Sequence, residues 1–182
     1  MLYDLFSTPL YTEKVSNYDE IQHGFDVVSN DTEWQDLWQS HKITDNTFKK
    51  NLIHEYNLAA FARELNYHVR EYTGWDRDFN IQQSWMTKME KGDYAICHEH
   101  AWSDLSGVYW YKTNGGDGSI YFQTPNLAQA TSIWDARPNH MKFQPEQGRI
   151  MLFPGWLRHG VESNTSDNTR MSVSFNITFE RL

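Results

Sequence analysis

The chain has 182 residues, with 16 lysines and arginines against 24 aspartates and glutamates, a formal charge of −8. That length suits one domain with a core of its own, and the acidic balance argues against nucleic acid as a partner. A single cysteine, Cys97, excludes an internal disulfide. The absence of a leader-like start and of any apolar run near the ~20 residues of a bilayer span predicts a cytoplasmic protein without membrane contact.

In chain order, Leu5–Tyr11 reads as a strand, with Pro9 marking an edge or a bend. Asp31-Thr32-Glu33-Trp34 reads as the start of a short helix, with Asp31 or Thr32 as its N-cap. A long helix is predicted from about Leu52 to Tyr72, because Leu58, Ala62, Leu65, Val69 and Tyr72 recur at steps of four and three. Glu55, Arg63, Glu64, Arg70 and Glu71 would leave the rest of its surface wet, and Gly74 would end it. His54 and His68 on this helix have no paired ligand nearby in sequence and read as surface or packing histidines.

After Gly74 the pattern is β, with extended segments at about 79–88, 93–98, 105–112, 119–123, 149–153, 157–162 and 170–180, separated by Gly, Asn, Asp and Pro clusters. Between them, Pro125 to Pro145 reads as a flexible lid. The expectation is a single domain over 1–182, mainly β: N-terminal helical support over about 1–75, then a sandwich or barrel over about 76–182 with the helices packed on one sheet. In the last strand Arg170, Ser172, Ser174 and Asn176 share one face, and Met171, Val173, Phe175, Ile177 and Phe179 share the other. The apolar face can pack under the long helix, so the polar face must look into the barrel, where a polar lining reads as a binding site.

Three places carry chemistry. His98-Glu99-His100 sits at a strand end, where residues two apart point the same way and Glu99 points away. His159 follows an apolar strand and a Pro154-Gly155 turn. Arg170, eleven positions later, heads the polar face, and a buried arginine wants a carboxylate: a glutamate of this chain or a ligand. Imidazoles suit first-row metals such as iron, and three protein ligands leave positions open for a co-substrate and oxygen.

Leu5-Phe6-Ser7-Thr8-Pro9-Leu10, Ser84-Trp85, Gly92-Asp93-Tyr94 through His98-Glu99-His100, Ser103 to Trp110, Leu152-Phe153-Pro154 through His159-Gly160-Val161, and Arg170 to Asn176 occur in one order along the chain. In these strings the sequence resembles the iron- and 2-oxoglutarate-dependent oxygenases, specifically a short branch common in marine phage and bacterial genomes. That resemblance implies a double-stranded β-helix, or jelly roll. It also implies Fe(II) on a His-x-Asp/Glu pair and a distal histidine, with 2-oxoglutarate held on the iron and on an arginine with a nearby hydroxyl. Carried over, His98 and His159 are iron ligands, and Arg170 with Ser172 holds the 2-oxoglutarate carboxylate. The chemistry implied is C–H hydroxylation with release of succinate and CO2. The usual carboxylate position holds His100, so the third ligand stands open between His100, Glu99 in a bulged strand, and Asp104 folding back.

The implied partners are molecular oxygen and a small-molecule or peptide substrate, with a homodimer left open; if of phage origin, the chain would work in the host cytoplasm. Trp102, Trp110, Trp134 and Trp156 are expected near the pocket rim, which suits an apolar or ring-bearing substrate. Two other readings stand beside this one: a cupin-like three-histidine metalloenzyme that does not use 2-oxoglutarate, and a non-catalytic jelly-roll binding module.

Overall fold

The computed structural model describes residues 7–37, 41–44, 51–126 and 139–180. Ile21, Phe25 and Val28, spaced four and three apart, form the buried stripe of α1 (Tyr18–Asp31). The helix start expected at Asp31 is therefore a helix end. Thr32 is its C-cap in extended geometry, and the chain goes on into β2 (Gln35–Leu37) and β3 (His41–Ile43). The earlier stripe had already used the helical signal of this region. Similarly, the first strand starts later than expected: β1 is Tyr11–Lys14. Pro9, which lacks an N–H to donate, lies before it, while Leu5 and Phe6 lie outside the described residues.

The long helix expected over 52–72 is two: α2 (Leu52–Glu55) and α3 (Ala59–Thr73). Asn57, at φ 47°, breaks them. Its N–H bonds the His54 carbonyl and the Leu58 N–H bonds the Ile53 carbonyl, the paired closure of a left-handed helix stop that Asn tolerates. Gly74 ends α3 in the left-handed region at φ 68°, as the sequence predicts. His54 is exposed and His68 is a buried packing residue whose Nδ1 meets Tyr11 Oη at 2.8 Å. Glu64, expected on the wet face, is buried instead. It accepts hydrogen bonds from the Ser16 backbone N–H (3.0 Å), from Ser16 Oγ and from Asn17 Nδ2 (3.3 Å), and so ties the β1–α1 connection to α3.

The remaining strands are β4 (Phe79–Met89), β5 (Ala95–His98), β6 (Leu105–Lys112), β7 (Ile120–Gln123), β8 (His140–Phe143), β9 (Arg149–Pro154), β10 (His159–Val161) and β11 (Arg170–Phe179). They form two antiparallel sheets, ordered β1-β9-β6-β11-β4-β3-β2 and β5-β10-β7-β8, the jelly roll the resemblance implied. The sequence missed β8 because its residues are mostly exposed at a sheet edge and carry no alternation. Part of the supposed lid is therefore a strand, and 127–138 lie outside the described residues.

β11 is central to the larger sheet, pairing with β4 on one side and β6 on the other. Its Val173, Phe175 and Ile177 join Phe25, Phe61 and Leu65 of the helices in the main core, so the helices pack on the outer face of this sheet. A smaller apolar cluster, with Trp110, Phe122, Met151 and Phe153, lies between the sheets. Close packing on the helix side shows at Gly107 of β6, where an added Cβ would strike the Phe175 ring and come within 2.9 Å of Leu152. No described helix is long and apolar enough to cross a membrane.

Glu64→Ala removes the buried acceptor for three donors of Ser16 and Asn17. It should lower stability by about 2–3 kcal/mol in urea unfolding, with Glu64→Gln losing less.

Candidate metal centre

β5 and β10 pair with His98 opposite His159. His100 follows one turn-residue past the end of β5. The three rings gather as alternation predicts, with centroids 4.5 Å (His98–His159), 4.9 Å (His98–His100) and 5.4 Å (His100–His159) apart. One ligand nitrogen from each lies within 4.8 Å of the others, and among the described residues this is the only such group.

Two of the rings are oriented by backbone. His98 Nδ1 lies 2.7 Å from the Ile96 carbonyl and His159 Nδ1 lies 2.8 Å from the Leu157 carbonyl. A carbonyl can only accept, so each Nδ1 carries the proton and each Nε2 keeps its lone pair for an ion. His100 has no such support, and its Nδ1 is buried without a hydrogen-bond partner. Trp85 and Trp102 flank the His100 ring at 5.9 and 5.5 Å, and Phe122 and Phe153 stand 6.0 and 4.7 Å from His159. Burial pushes the His159 imidazolium down to about 3 and that of His100 down to about 4, with His98 adding to both. Both rings are therefore neutral, as a ligand must be, across the physiological range.

The Pro154-Gly155 turn ties the two halves of the cluster together. The His100 N–H donates to the Gly155 carbonyl at 2.8 Å, and the Gly155 N–H donates to the Asp104 carbonyl at 3.2 Å. A Cβ on Gly155 would strike the Ser103 carbonyl and lie 2.8 Å from that of His100. Only glycine lets the turn ahead of His159 lie this close to the turn behind His100.

The other two contenders for third ligand are not brought to the cluster. Asp104 turns its carboxylate to the end of β11, accepting from the Phe179 N–H at 2.7 Å. Glu99 is not part of the group of converging ligand atoms; it is exposed where it lines the cavity.

The cluster opens into a cavity of about 250 Å³ between the sheets. The polar face of β11 forms its floor, since Arg170, Ser172, Ser174 and Asn176 all line it. At one end Arg170 is 1% exposed. Its Nη1 meets only Met89 Sδ, at 3.2 Å, and its Nε has no hydrogen-bond partner. No described carboxylate bonds it. The nearest acidic influence, Asp117, accepts from Thr113 Oγ1, the Asn114 N–H and Asn168 Nδ2 instead. Burial lowers the guanidinium to about 10, so it stays charged at neutral pH. At the other end Asn176 accepts from Ser106 Oγ (2.8 Å) and donates to Gln83 (3.2 Å).

The expected tryptophan rim is only partly present. Trp102 lines the cavity and is exposed, Trp110 is fully buried between the sheets, Trp156 is exposed but does not line the cavity, and Trp134 lies outside the described residues. Missed by the sequence reading were Leu37, His41 and Ile43, which bring a wall of β2 and β3 to the cavity. Strands of three residues carry too little periodicity to announce themselves.

Residues 83–176 match the protein family described as "Putative 2OG-Fe(II) oxygenase". In fold, the chain is similar to an oxidoreductase of the 2OG-Fe(II) oxygenase family from Burkholderia pseudomallei, with a TM-score of 0.69 and 13% identity, over 92% of this chain and 84% of that one. It is also similar to HygX from Streptomyces hygroscopicus with nickel and 2-oxoglutarate bound, with a TM-score of 0.65 and 14% identity, over 94% of this chain and 83% of that one. A third likeness is to SnoN, the non-heme alpha ketoglutarate dependent epimerase from nogalamycin biosynthesis, with a TM-score of 0.69 and 10% identity, over 94% of this chain and 78% of that one. No curated protein sequence matches the chain.

Two outcomes follow from the geometry. Unfolded, the imidazoles of His100 and His159 titrate near 6.5; folded, they titrate at about 4 and about 3. Between these values the unfolded chain binds protons that the folded chain refuses, so stability is full above about pH 6.5 and falls as pH drops below it. At pH 5 each histidine costs about 2 kcal/mol. Urea unfolding with chelator present should show this loss between pH 7.5 and 5, and His159→Gln should remove about half of it. Gly155→Ala should part the two turns and weaken metal binding by at least about tenfold, read by calorimetric titration of the folded variant.

Proposed function

The chain belongs to the 2OG-Fe(II) oxygenase family, and from that premise we propose that it is an Fe(II)- and 2-oxoglutarate-dependent oxygenase that hydroxylates a C–H bond of its substrate. The observation that carries this reading is Arg170: a charged, buried guanidinium whose Nε has no partner, on the floor of the cavity that the three histidines face. Leaving such a group unpaired is costly. A ligand carboxylate, taken in a planar fork, removes that cost.

The donor set fits the metal. His98 and His159 offer Nε2 lone pairs already aimed by the Ile96 and Leu157 carbonyls, and His100 serves as the third ligand in place of a carboxylate. When bound there, Fe(II) and 2-oxoglutarate supply oxidative decarboxylation to succinate and CO2, coupled to oxidation of the substrate C–H bond by molecular oxygen. Arg170 and Ser172 hold the distal carboxylate and thereby set where the rest of that co-substrate reaches. Phe122 and Phe153 keep one side of His159 dry. Trp85 and Trp102 stand where a substrate enters. With three neutral ligands the ion keeps its full positive charge, which favours an anionic co-substrate.

Hydroxylation, rather than the epimerisation named for SnoN, is the part of this proposal that rests on the resemblance alone, as does membership of the short phage and marine-bacterial branch. A cupin-like enzyme or a binding module that takes no carboxylate ligand would leave Arg170 without a partner among the described residues.

Anaerobic addition of Fe(II) and 2-oxoglutarate should give a weak visible charge-transfer band, with succinate formed once oxygen and a substrate are present. Arg170→Ala should retain the metal and lose roughly 10- to 100-fold in 2-oxoglutarate affinity, the loss of one charge-assisted fork. No band, and no succinate with any of a broad substrate panel, sinks the proposal.

A further inference from the structure

The cavity is electrostatically one-sided. Among the described residues that line it, Arg170 is the only lysine or arginine, and it lies at the far end, fully buried. The open end carries Glu99, which is exposed and which no described lysine, arginine or histidine pairs. The same cavity is lined by two large aromatic rings, Trp85 and Trp102, 5.9 and 5.5 Å from the His100 ring, and by the exposed side chain of Ile96. Trp102 is 59% exposed, leaving an indole face open at the cavity. The whole chain adds a net charge of −8, which draws cations and repels anions.

From this we propose that the substrate is an amine: a molecule with a flat or apolar body that lies against Trp102 and Trp85, and a protonated nitrogen that meets Glu99. This inference rests on the reading of the cavity as an oxygenase site and names the chemical class of what that site takes. Each part has a separate physical reason. An indole face attracts a cation through its quadrupole, a carboxylate accepts a charge-assisted hydrogen bond from an ammonium, and the apolar walls reward burial of the body. A carboxylate-bearing substrate would face Glu99 at the mouth and compete for Arg170 within. The chemistry fits a free small amine as well as a lysine side chain, and the test separates the two.

The test is calorimetric titration of the Fe(II)- and 2-oxoglutarate-loaded protein, kept anaerobic, with matched probes: tryptamine, indole-3-acetate, and a short lysine peptide with blocked ends. Tryptamine should bind at least about tenfold more tightly than indole-3-acetate. Glu99→Gln should remove about that tenfold preference for the amine while leaving the 2-oxoglutarate charge-transfer band unchanged. Trp102→Ala should weaken tryptamine while leaving the band in place. Tighter binding of the peptide than of tryptamine assigns the amine to a protein side chain, and the reverse assigns it to a small molecule. Equal or tighter binding of indole-3-acetate, no binding of any amine, or an unchanged amine affinity in Glu99→Gln overturns the inference. Absence of the band with amine binding intact overturns the oxygenase reading instead.

Discussion

A single strand with two unlike faces organises this protein. Along β11, successive side chains point to opposite sides of the larger sheet, and the sequence puts Val173, Phe175 and Ile177 on one side and Arg170, Ser172, Ser174 and Asn176 on the other. Shifting the register by one residue would put an arginine under the helices and a phenylalanine on the cavity floor. The helices, the sheet order and the cavity therefore depend on one register, and it is held from both sides, by β4 and β6.

The histidine cluster is built on the opposite sheet, and its two halves come from strands that are neighbours there but far apart in sequence, β5 and β10. What aligns them is backbone: carbonyls of Ile96 and Leu157 turn two rings, and the Gly155 turn packs on the chain between His100 and Asp104. His100 and His159 are neutral and buried. Among the described residues lining the cavity, Arg170 is the one lysine or arginine, buried at its floor, while the exposed Glu99 leaves its mouth acidic. A site of this polarity can hold two ligands of opposite charge without their competing for one partner.

Much of this was legible in the sequence, for reasons that differ from residue to residue. β11 alternates cleanly and β6 is a long, almost continuously buried run, so their bounds are close to those expected. His98 and His100 were readable as a pair because the period of a strand is two. Asn57 was not: its left-handed turn splits a stretch whose apolar spacing continues through it. Glu64 carries the charge of a surface residue, and only the distant Ser16 and Asn17 show why it is buried. β2, β3 and β8 are short or exposed edge strands, held by neighbours the sequence does not place beside them. That Arg170 has no carboxylate partner among the described residues is likewise a fact of three dimensions, since Asp117 could have served and is bonded elsewhere.

The Gly155 clamp also separates two events that small metalloproteins often merge. The fold is held by apolar clusters around Phe175, on the outer face of the larger sheet, and around Phe153, between the sheets, whose packing does not depend on a metal. Folding assembles the pocket, and the ion then enters a frame whose ordering entropy has already been lost. Chelation should therefore leave a native chain able to reload, and the iron supply of the cell would govern how much of the protein works without governing how much of it survives.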